Sequence, residues 1–452
     1  MAIIREIPSM FHFWENQVIQ DVIENGWVDR INPVSGFEAK NSGILKFFFP
    51  GNESFINLSK SYLYLKLRLV GKGTVVNATS KQTEDVDVLS SNFTKSGLSV
   101  VNSIAHSIFR SIEIKLGNQI ITLGNSDYGY RSYIQLLCNT TKEAQDTYFT
   151  VIGWRKDAQN AMEGAQNSSL RYRRDNFFTT EGVGEFIIRP HTAINFGHKA
   201  IIPYTDLEIS LTRHSNPPFY MKSIADPDTT TPFDIEIVQA YYEIQRYKAT
   251  AHFASDFELM LPQHPVIYNL KDSHINTFTI PSNVSNYSND SLFHGTVPRR
   301  IIIAFVKTSN YNGSYKGNPY NFEHFNIESL RLLKNRLEYP VKETITNFKS
   351  TPKTFMQAYH RMMMSIGADY NDHVVSVTPS EYSGGFFFYS FLMSPDQEPG
   401  SDVNNIASRP AQIKMEARFA DTLNESVQMI VYSETDTIVA IDNSRRVVVT
   451  HK

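Results

Sequence analysis

Residues 62–69 read YLYLKLRL, and the strict alternation of this stretch decides the fold. In an extended strand successive side chains point to opposite faces, so Leu63, Leu65, Leu67 and Leu69 share one side and Tyr64, Lys66 and Arg68 the other. A helix would scatter both sets around its axis. The spacing therefore predicts a strand with one face in a core and the other toward solvent or a neighbour. The pattern returns in IKMEARF, where Ile413, Met415, Ala417 and Phe419 oppose Lys414, Glu416 and Arg418. Between Ser111 and Leu123, SIEIKL-GN-QIITL reads as two strands around Gly117-Asn118, a pair that supplies the positive φ a tight hairpin needs.

Working outward, two halves follow the same order. In the first, a helix near Tyr130–Cys138 precedes EFIIRP (from Glu185), DLEISLTR (from Asp206) and DIEIVQAYYEI (from Asp234). In the second, a helix over Pro352–Ile366 precedes FFFYSFLM (from Phe386), IKMEARFA (from Ile413) and SVQMIVYS (from Ser426). That second helix carries Ser350 or Thr351 as cap, Pro352 in its first turn and Gly367 as terminator. Short strands, turn signals and long polar loops point away from βαβ units. The expected fold is all-β: two tandem eight-stranded jelly-roll β-sandwiches with short helices and long loops, plus an N-terminal amphipathic helix. Expected boundaries are an arm at 1–40, a first roll at 41–250 and a second at 251–452, joined near Lys248–Pro262.

Composition agrees with this class. The 452 residues exceed one small core, and a rough prior of 100–200 residues per domain suggests two or three. Thirty Phe and 23 Tyr suit half-buried pleated surfaces. With 43 basic and 46 acidic side chains the net charge is −3, so no overall positive field draws the chain onto nucleic acid, which argues against direct DNA contact. The single cysteine, Cys138, excludes an intramolecular disulfide framework and a Cys-rich zinc site. No window of about 18 apolar residues and no basic start with an apolar run occur, so neither a membrane span nor a signal peptide is predicted. The expected place of synthesis is the host cytosol, with assembly there or in the nucleus.

Two features are candidate sites. Phe11, Trp14, Val18 and Val22 repeat at helical spacing, with Ile19 and Ile23 beside them and Asn25-Gly26 closing the helix; this arm docks on its own domain or on a neighbouring subunit. Basic residues cluster in Trp154-Arg155-Lys156 and in Arg171-Tyr172-Arg173-Arg174, followed by Asp157 and Asp175. They read as a solvated or subunit-contact loop, the competing reading being a grip on phosphates with base stacking. Phosphate-loop, G-x-S-x-G and H-E-x-x-H motifs are absent, and Asp369, Asn371 and His373 lack the glycine and distal glutamate of a calcium loop. No enzyme, metal or cofactor is expected.

The residues also resemble a known group, the major capsid proteins of Polinton (Maverick) elements and adintoviruses. The likeness rests on FFFPGNESFINLSKSYLYLKLRLV (Phe47–Val70), VVNSIAHSIFRSIEIKLGNQIIT (Val100–Thr122) and DYGYRSYIQLL (Asp127–Leu137). It continues in TFTIPSNVSNYSNDSLFHGTVPRRIIIAFV (Thr277–Val306), YNGSYKGNPYNFEHFNIESLRL (Tyr311–Leu332) and ARFADTLNESVQMIVYSETDTIVAID (Ala417–Asp442). The Phe- and Trp-rich segment before Gly26 departs from that pattern. The resemblance implies a hexon-like double jelly-roll subunit that forms homotrimers and tiles an icosahedral virion. It further implies a penton-type single jelly-roll protein and minor capsid proteins as partners. Loops Thr74–Gly97 and Ala158–Gly184 are expected to wrap neighbouring subunits or form outer towers. Two other readings stay open: a carbohydrate-binding β-sandwich, and a host-domesticated capsid-derived protein.

Overall fold

The computed structural model describes residues 20–34, 43–76, 83–87, 98–122, 127–223, 233–367, 375–395 and 411–451. Sixteen strands form its frame. The first eight are β1 (Ile23–Ile31), β2 (Ile44–Phe49), β3 (Phe55–Val76), β4 (Phe109–Leu116), β5 (Gln119–Ile120), β6 (Val183–Ile188), β7 (Leu207–Arg213) and β8 (Phe233–Ala249). The next eight are β9 (Val266–Ile280), β10 (Asn286–Gly295), β11 (Arg300–Lys307), β12 (Ile327–Lys334), β13 (Leu337–Glu338), β14 (Phe388–Leu392), β15 (Ala411–Phe419) and β16 (Val427–Ile441).

The pairing is the same in both sets. Sheet β1-β8-β3-β6 faces sheet β2-β7-β4-β5, and eight strands later β9-β16-β11-β14 faces β10-β15-β12-β13, all antiparallel. Each set is a jelly roll. The alternation of YLYLKLRL sets the register: Leu63, Leu65, Leu67 and Leu69 are buried in the sandwich, each contributing about 1.5–3 kcal/mol by leaving water. Tyr64, Lys66 and Arg68 lie on the opposite face, against Tyr241, Glu185 and Glu236. Ile413, Met415, Ala417 and Phe419 are buried in the second roll in the same way.

Both rolls place a tight hairpin at the β4–β5 position. Gly117 has φ 55° in the first, and Asn335 and Arg336 have φ 51° and 73° at the matching β12–β13 turn. Both also place a helix between their fifth and sixth strands, α1 (Tyr128–Asn139) and α4 (Met356–Ile366). The remaining helices used below are α2 (Ser168–Phe177), in the loop before β6, and α3 (Ala251–Met260), between β8 and β9.

Two expectations are corrected. The N-terminal helix does not run to Gly26: Ile23–Ile31 is strand β1, and Asn25 and Gly26 pair with Lys248 and Tyr247 of β8. The long β8 leaves an edge that satisfies the β1 backbone, and Gly26, having no side chain, admits the Tyr247 ring, 3.0 Å from where a Cβ would stand. Val22 precedes this strand, so it belongs to no helix, and the span expected as an arm contributes the first strand of the sandwich. Phe11, Trp14, Val18 and Ile19 lie outside the described residues, as do Asp369, Asn371 and His373. Second, α4 starts at Met356 rather than Pro352. Thr354 is held back by a bridge to Asn347, and the Ser350 hydroxyl donates to the Asn347 and Pro352 carbonyls instead of capping the helix. Gly367, at φ 88°, does terminate it. The loop Ala158–Gly184 reaches across to the second roll of its own chain.

Candidate assembly surfaces and the seam between the rolls

Helix α1 is the wedge between the rolls. Ten of its twelve residues are buried, because one side meets β4 of its own roll and the other meets the second roll. Arg131 forms a buried ion pair with Asp272 on β9 at 3.0 Å, and Gln135 Nε2 donates to Ser273 on β9 and to Tyr432 on β16. The Tyr133 ring stacks on Tyr320 with centroids 4.1 Å apart, and the Tyr320 hydroxyl bonds Ser107. Beneath α1, Arg300 on β11 and Glu434 on β16 pair directly. Burial works to raise the Glu434 carboxyl, but the Arg300 charge and hydrogen bonds from Arg300 and Tyr432 hold it below the usual range. Cys138 is buried beside them, its thiol pushed up to about 12 by burial, and so remains protonated.

The basic loops serve this seam more than the surface. Trp154 is fully buried, with Tyr133 5.4 Å away, and Arg173 on α2 is fully buried against Asp157 at 2.7 Å. Neither is a solvated side chain, and neither is available to a phosphate. Asp157 accepts in addition from Asn167 and, across the seam, from Asn318 of the second roll at 3.0 Å, while Arg173 also donates to the Val100 and Arg155 carbonyls. The Asp157 carboxylate and the Arg173 guanidinium are thus hydrogen-bonded out of water, the condition for tolerating a buried ion pair, while the Trp154 indole N–H has no partner among the described residues. Lys156 crosses as well, to Glu381 at 2.9 Å and to the Ser376 carbonyl. Arg155, Arg171 and Tyr172 keep exposed positions, with Arg155 over the Tyr172 ring at 4.5 Å, while Arg174 is half-buried and paired to Asp175. The sequence signal for this outcome was Asp157 itself, an acid following Trp154-Arg155-Lys156. Nothing local in the sequence announced Asn318, which is 161 positions away.

The same loop supplies further bridges. Glu163 accepts from Asn310 and Asn321, and the Asn160 amide donates to the Gly384 carbonyl. Gly385, at φ 113°, lies so close to Met162 that a side chain there would strike the Met162 sulfur. Beside the first-roll ribbon of Leu98–Val100 and Met221–Ser223, Lys222 Nζ donates to the Pro218 and Ser314 carbonyls, and burial lowers its amine to about 7.

A cleft of about 750 Å³ opens along the seam, lined by Tyr62, His106, Arg189, His191, Phe196, Arg300 and Tyr432 among others. His106 Nδ1 shares a hydrogen bond with the Tyr128 hydroxyl at 2.8 Å, and burial lowers its imidazole to about 3; His191 is driven down by burial and by the neighbouring His106, Arg131 and Arg189. Both rings are neutral structural groups at pH 7. Among the described residues no three His, Cys, Asp or Glu side chains gather as a metal site, and no helix is long and apolar enough to cross a membrane.

Large apolar side chains are exposed at many places on both rolls. On the first roll Val28 of β1 is exposed; on the second, Leu337, Ile345 and Met356 stand out beside the hairpin and α4.

No family model matches the chain. An uncharacterized protein of Caenorhabditis elegans is 21% identical over 438 residues, covering 95% of this chain and 98% of that protein. Among solved structures, a chain of the cryo-EM structure of the Sputnik virophage superposes with a TM-score of 0.64 at 10% identity, over 100% of this chain and 93% of that one. The Faustovirus major capsid protein gives 0.59 at 8% identity (95% and 92% covered), and the mavirus major capsid protein 0.57 at 10% (100% and 96%). The likeness runs through both rolls and the seam between them, and it establishes the fold: the chain is a double jelly roll of the kind seen in these viral proteins.

Proposed function

We propose that this chain is a major capsid protein whose copies trimerise into pseudo-hexameric capsomers and tile an icosahedral shell. The observation that carries the reading is the repetition of one strand order in two rolls, locked by a buried polar seam. Three such chains present six similar rolls, so threefold symmetry yields a near-sixfold outline that suits a hexagonal lattice. The whole-chain likeness to capsid proteins of two viruses supports the reading. In it, a penton-type protein fills the fivefold vertices, minor capsid proteins complete the shell, and the chain resides in the virion after synthesis in the host cytosol and assembly there or in the nucleus. The N-terminal segment with Phe11, Trp14 and Val18 serves as a subunit-contact arm, and Arg155 and Arg171 lie at subunit contacts.

Size exclusion with light scattering, followed by negative-stain imaging of the same peak, tests this. The expected species has three times the 51.6 kDa chain mass and a hexagonal outline. A monomer at every concentration would overturn the capsomer. A second reading draws on the nematode relative: near-full-length coverage by a protein of an animal favours an element integrated in a host genome as the source. Packaging ATPase, protease and penton genes beside this one would mark an element that still makes particles, and their absence a domesticated copy.

A further inference from the structure

We infer that the cleft along the seam is a binding site for a small amphipathic carboxylate, a molecule that carries one carboxyl group on an alkyl or aryl body. One chain builds the whole site from its two rolls, so the site does not depend on assembly.

The space is of ligand size. Its volume of about 750 Å³ falls within the roughly 300–1,000 Å³ usual for small-molecule pockets. Tyr148, Val151, Ile187 and Phe196 line it from the first roll, and Tyr268 and Leu270 of β9 from the second. All four first-roll side chains are exposed, Tyr148 to 55% and Ile187 to 45%, while Leu136 and Ile152 of the same lining are buried. Wet apolar surface that lines a concavity, rather than lying scattered over the molecule, gains by receiving an apolar body.

Charge selects the sign of the ligand. The cations of the lining are Arg189, Lys199, Lys271, Arg299 and Arg300. Its acids are Glu434 and Asp436. With the histidines neutral, five against two leaves a local charge of +3 in a chain whose net charge is −3. Glu434 is already held by the Arg300 guanidinium and the Tyr432 hydroxyl, so its charge is compensated within the protein.

Buried polar atoms point to the group that would be bound. The Thr192 hydroxyl and Arg300 Nε have no hydrogen-bond partner among the described residues, although Thr192 is only 1% and Arg300 8% exposed, and both residues line the cleft. A buried donor left unmade is a standing cost to the fold, relieved when an acceptor enters. Arg189 adds a third donor group. Its guanidinium stands 4.1 Å over the Phe196 ring and donates from Nη1 to the Ser59 carbonyl, which fixes its plane and leaves its other N–H groups for an acceptor. A carboxylate only accepts, and its two oxygens match the planar fork of an arginine, whereas an ammonium group could satisfy none of these donors.

Isothermal titration calorimetry of the full chain with octanoate, octylamine and 1-octanol tests the site. Octanoate should bind one per chain, about tenfold or more tighter than either of the others, as expected for hydrogen bonds made to a charged group. Arg189→Gln should weaken octanoate by about tenfold and leave 1-octanol unchanged, and the nearly isosteric Thr192→Val should weaken octanoate by about threefold. Ile187→Ala should weaken both ligands, and Arg171→Gln on α2 and Leu259→Ala on α3, both away from the cleft, should weaken neither. Equal affinity for octanoate and octylamine would overturn the inference. So would folded Arg189→Gln and Thr192→Val variants that bind octanoate as the wild-type chain does. Octanoate binding that is present in the monomer and lost in an assembled species would overturn it as well, by showing that a neighbouring copy fills the cleft.

Discussion

The sheet β1-β8-β3-β6 of the first roll and the sheet β9-β16-β11-β14 of the second have the same strand order and different surroundings. In the first, burial alternates along β3 from Leu63 to Leu69, and the outer face carries Tyr64, Lys66 and Arg68. In the second, Arg300–Val306 of β11 and all of β14 are buried on both faces. A sheet covered on one side reads as alternation, and one covered on both reads as a continuous apolar run, here RIIIAFV and FYSFL. The cover in the second roll is α1 from the first, together with α4 over β14. Duplicated folds thus record in their strands which faces have acquired a partner within the chain.

The largest test of this comparison removes the link itself. Asp157→Ala leaves Arg173 buried without its counter-charge and takes from Asn318 and Asn167 one of their two acceptors, the Met162 carbonyl being the other. Breaking one side of a buried pair costs about 3–5 kcal/mol. Equilibrium urea denaturation should show a loss of that size; a loss below about 1 kcal/mol would mean that the group does not hold the rolls together. Next comes Ile302→Ala. Ile302 lies opposite Tyr432 on the face that α1 covers, so truncation opens a cavity between rolls and should cost about 2–5 kcal/mol in the same assay. An effect under 1 kcal/mol would place that face in contact with solvent.

How much of this was legible in the sequence follows from the range of the forces involved. Alternation depends on neighbours two residues apart, so YLYLKLRL and IKMEARF disclosed both their strands and their buried faces. The Gly117-Asn118 turn was equally local. Strand β1 was missed because IENGWVDRI contains a turn-like Asn-Gly pair and acquires strand geometry only by pairing with β8, more than 200 residues later. The seam was missed for the same reason. Trp154 and Arg173 sit among exposed-looking basic residues, and only the distant approach of Asn318 and Tyr320 turns their surroundings into an interior. Local chemistry identified Asp157 as a neighbour of positive charge but could not indicate what lay above it.

Acid should weaken the fold through its buried histidines, His106 of the seam among them. His106 titrates at about 3 in the folded chain because burial disfavours its cation, against about 6.5 when unfolded. Between those values the unfolded chain binds the extra proton, so stability is complete above pH 6.5 and declines as pH falls toward 3, by about 1.4 kcal/mol per unit for this group. His191, lowered for the same first reason, steepens the slope. Denaturation midpoints measured at pH 7, 6 and 5 should fall accordingly, and His106→Gln should make that dependence shallower by about 1.4 kcal/mol per pH unit below 6.5. An unchanged slope would show that His106 is not neutral in the fold.

The smallest effect is the one that most sharpens the comparison. Tyr64 lies on the uncovered face of the first roll, stacked on Tyr241 at 4.5 Å with Arg30 over the Tyr241 ring at 4.1 Å. A cross-strand aromatic pair of this kind stabilises by about 0.5–1 kcal/mol, because much of its surface remains wet. Tyr64→Ala should therefore cost about 1 kcal/mol in urea, well below Ile302→Ala although the lost side chain is larger. That ordering reverses only if the outer face of the first roll is also dry. Measuring both substitutions in dilute and in assembled protein separates the cases. A Tyr64→Ala cost that rises with assembly while the Ile302→Ala cost stays constant would show that the first roll acquires between copies the cover that the second already has within one.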